Sequence, residues 1–185
     1  MNSITLETNR LLLRGISAEY MKYLFNNCSK EAIKETLGHR SEDEFEKERY
    51  KHQNGYSSYN RSFIVFLLID KESHAVIGRC GLHNWNTDHN RAEIGYVMTE
   101  ENFKQKGLMS EAVKTILDYG FSTLKLHRIE ALIGKDNVAS LSIVRKFGFV
   151  QEGILREHYQ INNQMEDSVV FGLLYHDYQK SSSNG

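Results

Sequence analysis

A strand-like segment, a basic glycine loop and an amphipathic helix follow one another without a break between residues 92 and 121. Side chains alternate in character along 92–98, and two apolar rows at spacing four follow Gly107. The first amides of a helix have no intrahelical partner and its amino end is positive, so an anion can bind there. A plain strand-to-helix turn beside two solvated lysines would leave the same pattern. These residues alone leave both interpretations open.

Strand and helix patterns continue on both sides of this segment. Apolar runs predict strands at 11–13, 63–69, 76–83, 92–98, 128–133, 149–161 and 167–175, and helical spacing predicts helices at 18–27, 41–52, 108–121 and after residue 136 or 137. Two hairpins are expected, one joining 63–69 to 76–83 and one turning at 162–164. We therefore expect a single α/β or α+β domain over residues 1–180, with a central mixed, mostly antiparallel sheet flanked by helices, and a disordered tail at 181–185.

Composition excludes several classes of function. A net charge of −1 and a pI near 6.7 give no general attraction to nucleic acid or to an anionic membrane. The longest apolar run, 63–69, is too short to span a bilayer, and the first ten residues lack the apolar core of a signal peptide, so we expect a cytoplasmic protein. Cys28 and Cys80 form neither a disulfide framework nor part of a Cys/His metal motif.

The common phosphate-binding and hydrolase motifs are absent from the sequence. It contains no GxxxxGK[ST], GxGxxG, HExxH or GxSxG. It does contain a strand, a basic glycine loop, a helix, a second strand and an asparagine-capped helix that ends in KFGF. This order suits a phosphate-bearing ligand at the carboxyl ends of neighbouring strands. A cofactor that carries a diphosphate would fit.

The succession AEIGYVMTEENFKQKGLMSEAVKTIL and RIEALIGKDNVASLSIVRKFGFVQEGILRE resembles the GNAT superfamily of acetyl-CoA-dependent N-acetyltransferases. The opening TNRLLLR resembles its RimJ/RimL branch, and the likeness runs from residue 8 to about 175. It implies that the amides of 105–110 hold the coenzyme A pyrophosphate and that 97–99 pair with the pantetheine arm. The resemblance assigns to the cofactor Val97, Met98, Thr99, Lys104, Gln105, Lys106, Gly107, Leu108, Met109, Ser110, Asn137 and Ser140.

Three positions depart from the family pattern. Lys104 and Met109 stand where the pattern has Arg or Gln and Gly or Ala. A loop that binds through backbone groups should tolerate both, provided that Met109 has room on the helix side. Val144 replaces the tyrosine that many members use as general acid, seven residues after Asn137. The nearest other proton donor in the motif is Ser140.

Acetyl transfer to an amine needs a base, an oxyanion donor and protonation of a thiolate whose parent thiol has a pKa of about 8.5. Glu93 is the first candidate for the base, because a carboxylate on a core strand should be desolvated and its pKa raised. The alternative for Glu93 is a structural ion pair with Arg91 or Arg128.

Further catalytic candidates follow the KFGF turn. Glu157 and Tyr159 should share one strand face and line the acceptor cleft, with His158 turned the other way, unless this is an ordinary exposed face. Ser140 suits a hydrogen-bond donor to the thiolate, or it is simply a polar residue at a helix terminus. His83 ends a strand, where an acceptor could touch it, although such histidines are often surface residues.

The resemblance implies direct transfer of acetyl from acetyl-CoA to the α-amine of a protein amino terminus, such as that of a ribosomal protein. A small amine, namely a polyamine, an amino acid or an aminoglycoside, is the alternative acceptor. A catalytically inactive acyl-CoA sensor is a third possibility, because Val144 and Met109 depart from the pattern. We expect no metal, no nucleic acid and no membrane as partner, and family members often form homodimers.

Overall fold

The computed structural model describes residues 4–55 and 61–182. The helices are α1 Ala18–Asn27, α2 Lys30–Leu37, α3 Glu42–Asn54, α4 Leu108–Asp118, α5 Val138–Lys146 and α6 Tyr175–Ser182. The strands are β1 Thr5–Glu7, β2 Leu11–Ser17, β3 Arg61–Asp70, β4 Val76–Asn86, β5 Arg91–Met98, β6 Arg128–Gly134, β7 Val150–Ile161 and β8 Gln164–Leu174. A single π-helical turn, Tyr119–Thr123, extends α4.

One sheet joins these strands in the order β1-β2-β3-β4-β5-β6-β8-β7. Only β5 and β6 run parallel among the paired strands of the described chain, with α4 as their crossover. Both predicted hairpins are confirmed. Asn162 and Asn163 turn the second one at φ 50° and 62°, which asparagine tolerates better than most residues. The expected mixed, mostly antiparallel sheet is therefore confirmed.

Helices cover the two faces of the sheet unequally. The larger core lies under α4, whose predicted apolar rows are buried at Leu108, Ala112, Val113, Ile116 and Leu117. A smaller core joins α1, α2 and α3 to the opposite face, with Met21, Ile33 and Phe45 packed beside Leu67 of β3. Since polar residues cover most of α3, Phe45 is its one fully buried residue within 42–54.

Three short elements escaped the sequence analysis, namely β1, α2 and α6. Helix α2 begins at the Ser29 cap and ends at Gly38, whose φ of 68° is the left-handed conformation that glycine favours. Helix α6 includes residues 181 and 182, which were expected to be disordered. Tyr178 anchors it, 7% exposed and with its ring 5.0 Å from that of Phe121. Residues 183–185, the rest of the expected tail, lie outside the described part of the chain.

Strands β5 and β6 separate soon after they begin. Their register pairs Arg91, Ala92 and Glu93 with residues 128–130 and then stops. On its other edge β5 stays paired with β4 as far as Met98. The last residues of β5 therefore have one strand neighbour instead of two, and a V-shaped gap opens inside the sheet at its parallel step.

Candidate active site

A cleft of about 530 Å³ occupies this gap between β5, the glycine loop and α5. It brings together all but two of the residues that the sequence assigned to a cofactor. The ten that line it are Val97, Met98, Lys104, Gln105, Gly107, Leu108, Met109, Ser110, Asn137 and Ser140. Of the other two, Thr99 donates its amide to the carbonyl of Ile77 at 3.0 Å and lines a groove that α3 borders. Lys106 is held through its carbonyl, as described below.

The glycine loop turns twice through left-handed conformations before α4 begins. Gln105 has φ 59° and Gly107 has φ 78°. Gly107 occupies the cap position of α4 and offers no side-chain acceptor, so the amides of Leu108, Met109 and Ser110 have no capping partner there. These amides, at the positive end of the helix dipole, border the cleft and suit an anion. Met109 packs against the larger core, so the departure from Gly or Ala is accommodated.

A polar cluster fixes this loop from the outside. The backbone amide of Arg10 and its Nε donate to Glu111 of α4 at 2.9 and 2.8 Å, and its Nη1 donates to the carbonyl of Lys106 at 3.0 Å. The hydroxyl of Thr8 also donates to Glu111. Burial alone would raise the pKa of Glu111, but the bonds from Thr8 and Arg10 outweigh it and lower that pKa. Glu111 looked merely outward-facing in sequence, and it instead ties α4 and the loop to the β1–β2 turn.

The first turn of α5 faces Tyr96 across the cleft. Asn137 caps the helix by accepting the amide of Ser140 at 3.1 Å, as predicted. The hydroxyl of Tyr96 donates to the carbonyl of Ser140 at 3.4 Å, and burial raises the pKa of Tyr96 to about 12. Val144 is 1% exposed and packs in the core. Sequence reasoning missed Tyr96, because it shares a strand face with core residues and no pattern distinguishes it from them.

Glu93 is 8% exposed on the opposite face of β5. The carboxamide of Asn84 donates to its Oε2 at 2.9 Å, and Nε2 of His83 lies 3.2 Å from its Oε1. Burial raises the pKa of Glu93, but the hydrogen bonds from His83 and Asn84 outweigh burial and lower it overall. The predicted upward shift is therefore wrong, and Glu93 is a carboxylate at neutral pH.

The ion pair suggested between Glu93 and Arg91 or Arg128 is also wrong. Arg91 and Arg128 both pair with Glu130, at 3.4 and 2.9 Å. Arg128 reaches Glu152 as well. His83, which the sequence offered only as a strand-end residue, is the group that stands between Glu93 and solvent, because its side chain is 41% exposed.

A bulge in β7 changes the placement of the candidates after the KFGF turn. Leu155 pairs with Ser168 and Tyr159 with Glu166, so four steps along β7 match two along β8. Glu157 sits inside the bulge at φ 49° and donates its amide to Asp167 at 2.8 Å. The regular alternation that placed Glu157 and Tyr159 on one face does not hold here. Burial raises the pKa of Tyr159, and the negative charge of Glu93 raises it further.

A second pocket, of about 370 Å³, opens beside α1, α2 and α3. Its lining residues include Lys51, Arg61, Phe63, Arg79, His83 and Asn84, and we call it the basic pocket. Because His83 and Asn84 also contact Glu93, this pocket ends at the Glu93 carboxylate. Within residues 4–55 and 61–182, no group of three or more His, Cys, Asp and Glu side chains is arranged to hold a metal ion. No helix of this same part of the chain has the length and apolar character needed to cross a bilayer.

Relatives with similar sequences are acetyltransferases. Residues 10–150 match the family described as "Acetyltransferase (GNAT) domain". The uncharacterized N-acetyltransferase YoaA of Bacillus subtilis is 31% identical over 91% of this chain and 96% of its own length. The uncharacterized N-acetyltransferase p20 of Bacillus licheniformis is 38% identical, over 61% of this chain and 63% of p20. A spermidine N(1)-acetyltransferase of Escherichia coli is 34% identical over half of each chain.

Solved structures agree on the fold. A mutant form of the spermidine/spermine N-acetyltransferase SpeG from Vibrio cholerae superposes with a TM-score of 0.68 at 23% identity, covering 95% of this chain and 99% of that one. The ribosomal-protein-S5-alanine acetyltransferase from Vibrio fischeri gives 0.67 at 23% identity, covering 95% and 98%. The match to the family domain spans most of the residues that form the sheet, the glycine loop and the cleft, so this chain belongs to the GNAT acetyltransferase family and is an acyltransferase.

Proposed function

We propose that this protein transfers acetyl from acetyl-CoA directly to the α-amine of a protein amino terminus. One observation carries the proposal. The cleft is lined by residues 96–98 at the end of β5, and the basic pocket reaches the same strand through His83 and Asn84, which contact Glu93. A thioester in the cleft and an amine in the pocket can therefore meet where β5 and β6 separate.

The residues of the cleft fit coenzyme A. The uncapped amides of Leu108, Met109 and Ser110 suit its pyrophosphate, and the glycine at 107 leaves the backbone open to close approach. The edge of β5 that β6 leaves unpaired, at Val97 and Met98, supplies peptide groups for the amides of the pantetheine arm. When bound, acetyl-CoA supplies the activated acetyl group, and the protein supplies position and charge.

Glu93 and His83 serve the amine in this proposal. An amine attacks only as the free base, so its ammonium form must lose a proton at the site. Glu93, ionised because its pKa is lowered, favours a positive charge nearby and is a poor proton acceptor. His83 lies between the pocket and Glu93 and is the group that takes the proton, with Glu93 orienting its ring and stabilising the imidazolium.

Tyr96 and Ser140 serve the leaving group. Both line the cleft, Val144 is buried in the core, and the family pattern places Ser140 beside the thiolate, so we assign the leaving group to Ser140 and to Tyr96, which contacts it. A phenol with a pKa of about 12 keeps its proton and acts as a hydrogen-bond donor to sulfur. In balance, the ammonium first loses one proton to His83, which releases it to solvent; a C–N bond then forms, the C–S bond breaks, and the second proton lost by nitrogen is matched by the one that the thiolate takes up.

The relatives divide between two classes of acceptor. Relatives include a putative ribosomal N-acetyltransferase, YdaF of Bacillus subtilis, 30% identical over 57% of this chain, and they also include spermidine acetyltransferases. The charge of the basic pocket favours the amino terminus, because Arg61 and Arg79 line it and would repel a polycation. A small amine is the second candidate, supported by those spermidine enzymes.

Thiol release from acetyl-CoA, measured with amino-terminal peptides and with small amines, tests the proposal. We expect turnover with peptides. We also expect Cys28→Ala and Cys80→Ala to keep their activity, because Cys80 is fully buried and its burial raises the pKa of the thiol. A trapped acetyl-cysteine would overturn direct transfer. A protein that acetyl-CoA stabilises against heat but that releases no thiol with any amine would be a sensor instead.

A further inference from the structure

The charges of the basic pocket restrict the acceptor more closely than its family does. We propose that the acceptor carries an anionic group next to its reacting amine, and that Arg61 and Arg79 bind this group while the amine lies at His83 and Glu93. The inference rests on the proposed function, since it assigns the basic pocket to the acceptor.

Arg61 and Glu93 contact opposite ends of the Asn84 side chain. Nη1 of Arg61 is 3.5 Å from Oδ1 of Asn84, and Nδ2 of Asn84 donates to Glu93 at 2.9 Å. A cation and an anion are therefore separated by a single carboxamide. A ligand that spans this distance with an amine at one end and a carboxylate at the other matches both charges.

Arg79 adds a second positive charge on the same wall. It lies on β4 four residues before His83, so the two side chains point to the same face, and its Nη2 donates to the carbonyl of Leu37 at 3.3 Å. Among residues 4–55 and 61–182, neither Arg61 nor Arg79 forms an ion pair with a carboxylate. Their charge therefore remains for a ligand.

The other titratable groups of the pocket do not offset this charge. Lys51 is paired with Glu48 at 3.4 Å, so these two largely cancel. Burial and the charge of Arg79 lower the pKa of His39, which keeps that ring neutral at pH 7. The pocket is therefore positive at Arg61 and Arg79, and the Glu93 carboxylate, which His83 and Asn84 contact, is the negative group beyond its inner end.

This arrangement discriminates between classes of amine. An α-amino acid has its carboxylate carbon two bonds from the amine nitrogen, and a peptide whose second residue is aspartate or glutamate carries a carboxylate a few bonds further away. Both satisfy the arginines when the amine is at Glu93. A linear polyamine places a second ammonium beside Arg61, where like charges repel. The shared chemistry is an amine with a nearby carboxylate, and the two sources separate experimentally.

The test compares acceptors that differ only in this carboxylate. Thiol release from acetyl-CoA is measured with peptides that begin with serine and aspartate against serine and asparagine, with free serine against serinamide, and with spermidine. We expect kcat/KM to be at least about tenfold higher for the carboxylate member of a pair, a difference of about 1.4 kcal/mol. The peptide pair and the amino-acid pair report which source is used.

Variants of the exposed Arg61 connect the preference to the pocket. Arg61→Ala should remove most of the tenfold preference, and Arg61→Glu should reverse it, while both keep the melting temperature of the parent. Lys47→Ala is the control, because Lys47 is an exposed cation of α3 that pairs with Asp43 at 2.7 Å and does not line the basic pocket. It should leave the preference unchanged.

Four results would overturn the inference. Equal rates within both pairs, or spermidine as the fastest acceptor, would remove the anionic requirement and leave the acetyltransferase proposal standing. If Arg61→Glu keeps the preference for a carboxylate, Arg61 does not bind the anionic group, and the acetyltransferase proposal still stands. Absence of thiol release with every acceptor would instead overturn the proposed function, and the inference with it.

Discussion

The cleft and the basic pocket are built in opposite ways. The cleft is lined by two continuous segments, residues 96–110 and 137–143, and in the proposed function it binds its ligand through backbone groups. The basic pocket takes its walls from α1, α3, β3 and β4, and its chemistry is carried by side chains such as Arg61, Arg79 and His83. The cleft therefore depends on backbone conformation, whereas the pocket depends on which side chains meet.

This difference means that the cleft tolerates substitutions, whereas the basic pocket does not. A loop that presents amides tolerates Lys104 and Met109 in place of the residues that the pattern prefers, because the peptide groups stay the same. A pocket formed by side chains changes its ligand with one substitution. A family that keeps one cofactor and changes its acceptor would be expected to divide its site in this way.

The largest expected effect comes from a substitution in the glycine loop, which belongs to the backbone-built cleft. Gly107→Glu should weaken acetyl-CoA binding at least a hundredfold, because it places a carboxylate and a strained left-handed residue at the anion site. The measurement is isothermal titration with acetyl-CoA. Gly148→Glu is the matched control, since Gly148 has φ 77°, nothing within 4 Å of its would-be side chain, and no place in the cleft.

Both glycine variants should lose about 1–2 kcal/mol of unfolding free energy from the strained conformation. Only Gly107→Glu should lose binding. Undiminished binding in that variant, or an equal loss in Gly148→Glu, would contradict the assignment of the glycine loop.

A smaller effect is expected on the side-chain half of the site. His83→Gln and Glu93→Gln should each lower kcat/KM for the amine by about 10²–10⁴-fold while leaving acetyl-CoA affinity within about twofold of the parent. The reason is that in the proposed mechanism both residues serve proton removal, and neither lines the cleft. Steady-state kinetics together with titration separates the two quantities. Activity that survives in His83→Gln but not in Glu93→Gln would make Glu93, acting through water, the base.

The smallest effect concerns the cluster that fixes the glycine loop from outside. Glu111→Gln should raise KM for acetyl-CoA about tenfold and cost about 2 kcal/mol of unfolding free energy, because charge-assisted bonds to Arg10 and Thr8 weaken. Lys114→Gln is the control, since Lys114 pairs with Asp118 on the same helix and lies over the ring of Tyr178, and none of these three residues lines the cleft.

This cluster also predicts a dependence of stability on pH. The pKa of Glu111 is lowered in the folded protein, so its contribution is complete above its ordinary pKa of about 4.3 and is lost as the pH falls through the lower folded value. Thermal melting between pH 3 and 7 should therefore decline less steeply in Glu111→Gln than in the parent. Parallel curves would show that Glu111 does not contribute in this way.

Much of the fold was predictable because its signals are local. The α1 boundaries, the Ser41 and Asn137 caps, both hairpins and the buried rows of α4 agree with the sequence patterns. The elements that were missed, β1, α2 and α6, have three to eight residues, which is too few for a clear apolar period. The bulge at Glu157 was also missed, since alternation assumes a regular strand.

The sequence by itself determined the cleft, because adjacent residues supply its amides and their order along the chain fixes where those amides lie. Tertiary structure alone decided the partners of each charge. Alternation placed Glu93 on the correct face of β5, but only the register with β4 set His83 and Asn84 against it and so reversed the direction of its pKa shift. The anchoring of the loop by Arg10, about a hundred residues before Glu111, arises in the same way. A side chain's orientation follows from its own segment, whereas its electrostatic environment depends on groups brought close by folding.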